Sequence, residues 1–193
     1  MYSGTTIINV DIIAEYELSD NTSDDSFLCF SVRNTGPAAI CPECQCSLKH
    51  RDWRPRICKR EGGEKSWIKV ERGKCPSCGR LHTILPDKLV PYKQYEADVI
   101  SGVLDGAVTP DDIDSEDYPC AETMRRWILW FALNLERIEG YLRNAMLLRI
   151  LYGYDAPDAP GNLLQSLRKT NDRWLETALR IITNTGGRLA AVY

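Results

Sequence analysis

The sequence predicts an α+β protein in which short strands come first and helices fill the second half. β-branched and aromatic residues are frequent at 5–18 and 27–33, as is typical of strands. Two Cys-Pro-x-Cys turns, at 41–44 and 75–78, enclose a segment whose alternation of apolar and polar residues predicts a β-hairpin. After residue 92 apolar side chains recur at steps of three and four, which indicates helices.

Three regions follow from this change of pattern. We expect a small N-terminal β segment over 1–37, a compact domain around the cysteine turns over 38–91, and an all-helical domain over 92–193. Within the last region the pattern suggests a helix-turn-helix over 92–131 and an amphipathic C-terminal helix over 162–183.

The longest apolar run follows residue 120 and is expected to form a helix with one buried stripe. Gly140 interrupts the run and marks a candidate bend or break. The predicted stripe consists of Trp127, Phe131, Leu135, Ile138 and Leu142.

The segment between the cysteine turns has the features of a hairpin with a tight connection. Gly62 and Gly63 are suited to the positive φ that such a turn requires. In the second arm Ile68 and Val70 alternate with charged residues, so one face of that arm is apolar. Residues 81–85 predict a third strand.

Eight cysteines in 193 residues point either to disulfides or to metal ligation. The N-terminus lacks the basic region of a signal peptide, so we expect a cytoplasmic, reducing location, where paired CxxC turns more often bind metal. No apolar run approaches the roughly 20 residues that a membrane span needs, so we expect no membrane partner.

Two CPxC turns provide four thiolates, which is the tetrahedral set that Zn²⁺ accepts in closed structural sites. A hairpin that leaves the metal and returns to it suits the thirty residues between the pairs. The predicted ligands of a structural zinc ion are Cys41, Cys44, Cys75 and Cys78. Two alternatives stay open: the same cysteines could hold an iron–sulfur cluster, or Cys46 or His82 could replace one of the four ligands.

The net charge of −3 hides a strong asymmetry along the chain. Residues 47–80 carry eleven Lys and Arg against four acids, whereas 1–46 and 81–193 are both net acidic. Binding responds to the field at a surface, and each phosphate that is neutralised adds affinity, so we predict a nucleic-acid partner, DNA in the first place. The predicted contacts are Lys49, Arg51, Arg54, Arg56, Lys59, Arg60, Lys65, Lys69, Arg72, Lys74 and Arg80. A solvated hairpin rich in cations is the alternative.

Two tryptophans lie among these cations. We expect Trp67, beside Ile68 and Val70, to belong to the core of the hairpin. For Trp53 both core packing and stacking on an unpaired base stay open.

Residues 119–131 have features of a DNA-recognition helix. Pro119 suits the first helical turn, and Thr123, Arg125 and Arg126 come early enough to reach a groove. The alternative is an ordinary helix whose aromatic residues pack a bundle while both arginines stay solvated.

Residues 38–130 resemble a bacterial family of zinc-ribbon proteins that is associated with transposases and other mobile elements. The resemblance rests on the CPxC pairs, a CGRxH-x₂-LPD-x-LxPYxxY signature and a later RRW triplet. The matching positions are Cys41, Cys44, Cys75, Cys78, Gly79, Arg80, His82, Leu85, Pro86, Asp87, Leu89, Pro91, Tyr92, Tyr95, Arg125, Arg126 and Trp127. The resemblance implies a DNA-binding accessory or regulatory role at a mobile element.

Catalysis is not expected. The acids at 111–117 form a run rather than a spaced metal-binding triad, and the chain is short for the mixed sheet that such a triad needs. The competing function is a protein-interaction adaptor or homodimer, in which the apolar helices 121–152 and 162–183 pack against a partner and the zinc ribbon is purely structural.

Overall fold

The computed structural model describes residues 12–14, 16–20, 29–34, 38–112, 119–151 and 162–190. The strands in these ranges are β1 (Ile12–Ala14), β2 (Tyr16–Asp20), β3 (Cys29–Asn34), β4 (Lys49–Lys59), β5 (Lys65–Lys74) and β6 (Leu81–Pro86). The α-helices are α1 (Ala97–Leu104), α2 (Ala121–Leu151), α3 (Leu163–Thr170) and α4 (Trp174–Asn184). All the described strands precede all the described α-helices, and the predicted α+β class is confirmed.

Strand β5 lies at the centre of the sheet. Its partner β4 runs antiparallel to it along the full length of the hairpin. On the other edge of β5, β3 pairs in parallel with 67–69, and β6 pairs antiparallel with 71–74. The remaining strands extend this sheet, because β2 is antiparallel to β3 and β1 is parallel to β6. The described part of the N-terminal segment therefore shares one sheet with the hairpin.

A single turn of 3₁₀-helix at Glu61–Gly63 connects β4 to β5. Gly62 and Gly63 have φ values of 76° and 72°, and the Arg60 N–H donates to the Glu64 carbonyl oxygen at 3.0 Å. Both glycines adopt the left-handed conformation that the sequence predicted, since side chains with a Cβ rarely enter that region.

The apolar core lies between one face of the hairpin and the helices. Ser66, Ile68 and Val70 are buried, whereas Lys65 and Lys69 at the alternate positions are exposed, as alternation along a strand requires. The core continues through β6, the segment that follows it and the helices, with Leu85, Leu89, Ile100, Met124, Trp127, Phe131, Trp174 and Ile182.

Helix α2 differs from the prediction in two respects. It passes through Gly140 without a break. Its buried stripe includes Asn134 rather than Leu135, which is 41% exposed. Asn134 is three residues after Phe131, and Ile138 is four residues after Asn134, so these three side chains share the core face. Leu135 lies at the edge of that face. The Asn134 side chain satisfies its polar atoms by donating to the Ala190 carbonyl oxygen at 3.1 Å and accepting from the Ala190 N–H at 2.8 Å.

The predicted C-terminal helix over 162–183 is wrong in one respect, because α3 and α4 are separate helices. Asn171 ends α3 in an extended conformation with φ −143°, and its side-chain oxygen accepts from the Arg173 N–H at 2.8 Å. Such local side-chain bonds to the backbone compete with helical hydrogen bonds, so asparagine favours a break here.

The helix-turn-helix over 92–131 is not confirmed. Such motifs join their helices by a turn of about three or four residues. Here α1 ends at Leu104 and α2 begins at Ala121, and part of that connection lies outside the described residues. None of the helices in the described ranges combines the length and the apolar character that crossing a bilayer requires.

Candidate metal centre and cationic hairpin

The two CPxC turns have the same backbone geometry. The Gln45 N–H donates to the Cys41 carbonyl oxygen at 2.9 Å, and the Gly79 N–H donates to the Cys75 carbonyl oxygen at 3.0 Å. Gln45 and Gly79 also share a positive φ, of 56° and 74°. Gly79 takes this conformation readily, whereas Gln45 adopts it in spite of its Cβ. Each turn therefore curls its two sulfur atoms towards one side.

The four sulfur atoms of these turns meet at one point. They lie within 4.8 Å of one another, and the Sγ atoms of Cys41 and Cys78 are 3.9 Å apart. A tetrahedron with Zn–S bonds of about 2.3 Å has edges of about 3.8 Å, so the observed spacing fits a tetrahedral ion. The cluster consists of the four predicted cysteines, Cys41, Cys44, Cys75 and Cys78. They could hold a metal ion.

Cys46 and His82, the alternative ligands, do not belong to the four-cysteine cluster found among the described residues. The Cys46 thiol points back to its own turn and donates to the Cys44 carbonyl oxygen at 3.4 Å. His82 is fully buried.

The protonation of the cluster is uneven. The backbone N–H of Cys78 lowers the pKa of the Cys75 thiol to about 7. The Arg80 N–H lowers the pKa of Cys78, but burial and the neighbouring thiols outweigh it and raise that pKa to about 12. Four sulfur atoms this close cannot all be thiolates without a cation between them, since like charges disfavour ionisation.

Several hairpin cations are engaged by the protein itself. Arg56 donates to the carbonyl oxygens of Val90 and Lys93 at 2.9 and 3.0 Å. Arg60 contacts Glu96 at 3.2 Å. Two further arginines are paired with acids of the ribbon, the region over 38–91. Arg72 pairs with Asp52, and Arg80 pairs with Glu43. The hydrogen bond from Arg72 lowers the pKa of Asp52, which keeps that carboxylate charged.

The other predicted hairpin contacts present their charge outwards. Lys59 is a partial exception, because its side chain is half-buried. Its Nζ atom lies 5.0 Å from the centre of the Tyr95 ring. Arg51 lies 3.7 Å from the Asp52 carboxylate but stays exposed. The exposed cations of the hairpin are Lys49, Arg51, Arg54, Lys65, Lys69 and Lys74, and Arg80 beyond β5 is exposed as well although it is paired with Glu43. The predicted set thus separates into structural arginines and surface cations.

The predicted groove contacts on α2 lie in its first turns. Arg125 and Arg126 are exposed and approach acids, Asp111 at 3.8 Å and Glu122 at 3.2 Å. Thr123 is half-buried. An acid beside each arginine reduces the field that a phosphate would meet there.

A buried polar network centred on Glu96 was not foreseen from the sequence. Its Oε1 atom accepts from the Cys58 thiol at 3.1 Å and lies 3.2 Å from Arg60 Nε and 2.9 Å from Lys88 Nζ. Burial, together with Glu96, raises the pKa of Cys58 to about 12. Cys58 and Arg60 come from one part of the chain, and Lys88 and Glu96 come from another, so no local pattern marked the two pairs as neighbours.

A second unforeseen contact ties the end of β6 to α4. Asp87, part of the LPD element, lies 3.0 Å from Arg173, which also pairs with the buried Glu176. Burial raises the pKa of Glu176. Asp87, Arg173 and Glu176 line a polar cavity of about 300 Å³.

The fold and the cysteine cluster define the class of protein: it is an α+β protein in which both ends of a long hairpin lead to a cluster of four cysteines that could bind a metal ion. Residues 41–127 match the model of a domain of unknown function, DUF6431. The matched region contains both cysteine turns, the hairpin, α1 and the start of α2. No curated protein and no solved structure matches the chain.

Proposed function

We propose that this protein is a zinc-stabilised nucleic-acid-binding protein and that the β4–β5 hairpin is its interface. The observation that carries the proposal is the set of six exposed cations on one hairpin whose two ends converge on the cysteine cluster. A rigid arm with this charge density suits a phosphate backbone, because lysine and arginine release counterions when they neutralise phosphates.

Zinc would be held by Cys41, Cys44, Cys75 and Cys78. When bound, it supplies charge that keeps all four sulfur atoms as thiolates and joins the two ends of the hairpin. Four protein ligands fill a tetrahedral site, so this arrangement supports a structural ion rather than a catalytic one. We accordingly propose a binding function and not an enzyme.

A salt titration tests the proposal with a pair of matched charge reversals. Lys69→Glu removes an exposed hairpin cation, and Lys169→Glu makes the same change in α3, away from the hairpin. For the zinc-loaded protein we expect affinity to fall steeply with salt, and Lys69→Glu to reduce the slope of log K against log salt by about 1 or more. Lys169→Glu should leave the slope unchanged. Equal effects of the two variants, or no binding at low salt, would contradict the proposal.

The engaged arginines are poor choices for such a test. Arg56 holds the 90–93 loop through two carbonyl oxygens, so its charge reversal would disturb folding as well as binding. Lys65 is exposed and lies on the same face of β5 as Lys69, so it is the better second site, and Lys65→Glu should act as Lys69→Glu does.

More specifically, we propose that the nucleic acid is DNA and that the protein has a regulatory or accessory role at a mobile element. It is supported by the family resemblance and by Thr123, Arg125 and Arg126 at the start of α2. Protection of a defined site in a nuclease footprint, lost in Arg125→Ala/Arg126→Ala but kept in Lys169→Ala, is the expected result. A footprint that is identical in both variants would remove α2 from the interface.

An interaction adaptor or homodimer is a second candidate, favoured by the outer face of α2. Ile128, Leu129 and Leu133 are exposed on this helix, and Leu133 is 64% exposed. Burial of such side chains between two copies would stabilise an assembly. Sedimentation of the wild type as a dimer and of Leu129→Glu/Leu133→Glu as a folded monomer would support this candidate. A wild-type monomer at all concentrations would refute the homodimer.

A further inference from the structure

We propose that the outer face of the β4–β5 hairpin is a stacking platform for single-stranded nucleic acid and that Trp53 is the stacking residue. The inference rests on the proposed nucleic-acid function and specifies which form of the polymer the interface takes. It is carried by the position of one exposed indole, by the residues that hold it and by the lysine beside it.

The hairpin has two chemically different faces. The inner face, with Ser66, Ile68 and Val70, packs on the core. Cross-strand partners share a face, so Cys58, Arg56 and Arg54 lie on the inner face, and the residues that alternate with them lie on the outer face. From β4 these are Trp53, Pro55, Ile57 and Lys59, and from β5 they are Lys65, Trp67, Lys69 and Glu71. The outer face therefore combines aromatic rings with lysines.

Trp53 is held in place although it is exposed. Its side chain is 45% exposed, and its ring centroid lies 5.4 Å from that of His50. The His50 Nδ1 atom lies 2.9 Å from Glu71 Oε1, and Glu71 is directly opposite Trp53 on β5. A ring that is fixed in advance loses little conformational freedom when a base stacks on it.

A β-bulge makes this arrangement. Residues 50 and 53 would lie on opposite faces of a regular strand, because their spacing is odd. The register of β4 shifts between His50 and Asp52, and the extra residue brings His50 to the same face as Trp53. The bulge thus places the supporting ring and the exposed ring side by side.

The lysines lie where a strand stacked on Trp53 would carry its phosphates. Lys69 is opposite Pro55 and hence diagonal to Trp53, at a spacing of about 7–8 Å for such pairs. Trp67 lies on the same face. It is four residues from Glu71, the cross-strand partner of Trp53, and therefore about 13 Å away along the strand. A duplex hides the faces of its bases, so only unpaired bases can use an exposed indole.

Binding of labelled oligonucleotides tests the inference on the full-length, zinc-loaded protein. The probes are a 15-nucleotide oligo-dT, an oligo-rU of equal length and a 15-base-pair duplex, all at the same low salt. We expect the wild type to bind a single strand more tightly than the duplex. Trp53→Ala should weaken single-strand binding about 10-fold and change duplex binding less than 2-fold, whereas Trp53→Phe should retain most of the affinity. The oligo-rU arm shows whether the platform accepts ribose.

Equal zinc content and thermal unfolding of the variants establish that they fold. Failure to bind any probe at low salt would overturn both the inference and the proposed function. The stacking platform would be overturned if the wild type bound single strand and duplex with equal affinity and Trp53→Ala either weakened both affinities equally or changed neither. The proposed function would still stand in that case.

Discussion

The ribbon and the helical half of this protein are stabilised by different means. In the ribbon, residues 38–91, the two ends of a long hairpin meet at four sulfur atoms, and six exposed cations lie on the surface of that hairpin. In the helical half, large apolar side chains such as Trp127, Phe131 and Trp174 are buried against one another. The difference would free the ribbon surface for charge, because a hairpin whose ends are joined by a bound metal ion needs less apolar burial of its own.

The largest expected effect is on the ribbon. Cys75 is fully buried and contributes one of the four sulfur atoms. Cys75→Ser should abolish stoichiometric zinc and unfold the hairpin, since structural zinc contributes about 10–16 kcal/mol in small peptides of this kind. Hydrogen exchange should show β4 and β5 losing protection more than α4. The control is Cys120→Ser, which changes an exposed cysteine outside the cluster. Full zinc content in Cys75→Ser would refute the assignment.

In the helical half the largest effect should come from a buried ring. Trp174 is 2% exposed, packs on Phe131 with ring centroids 5.5 Å apart, and donates from Nε1 to Asp105 at 2.9 Å. Trp174→Ala should lower the free energy of unfolding by about 3–5 kcal/mol, measured in urea, with zinc content unchanged. Loss of zinc in this variant would mean that the two regions cannot be separated energetically.

The junction of the two regions should be sensitive to pH. Burial opposes ionisation of Glu96, but hydrogen bonds from Lys88, Cys58 and Arg60 outweigh it, so the pKa of Glu96 is lowered from 4.5. The carboxylate therefore stabilises the fold above pH 4.5, and this contribution is lost as the pH falls through the lowered pKa. Glu96→Gln should cost about 3 kcal/mol at pH 7, and the difference from wild type should shrink in acid.

Glu64→Gln is the matched control for that measurement. Its carboxylate also faces Arg60, at 3.7 Å, but is 57% exposed. An exposed pair contributes about 1 kcal/mol or less, so the variant should differ little from wild type at either pH. Equal losses in the two variants would contradict a special role for the buried network.

The comparison also explains what the sequence could predict. The cysteine turns, the glycine turn and the alternation of β5 are local patterns, and each reappears in the structure as expected. The division of the cations into structural arginines and surface cations is not local, because Arg56 and Arg60 find partners more than thirty residues away. The same is true of the pairing of β3 with β5, and of Asn134, whose partner lies at Ala190.

The most direct test of the central claim is the affinity of the protein for nucleic acid before and after removal of zinc, at one low salt concentration. The zinc-loaded protein should bind, a chelator should abolish binding together with the hairpin structure, and added zinc should restore both. Unchanged binding by a protein shown to have lost its metal would contradict the claim that the four cysteines hold the binding hairpin in place.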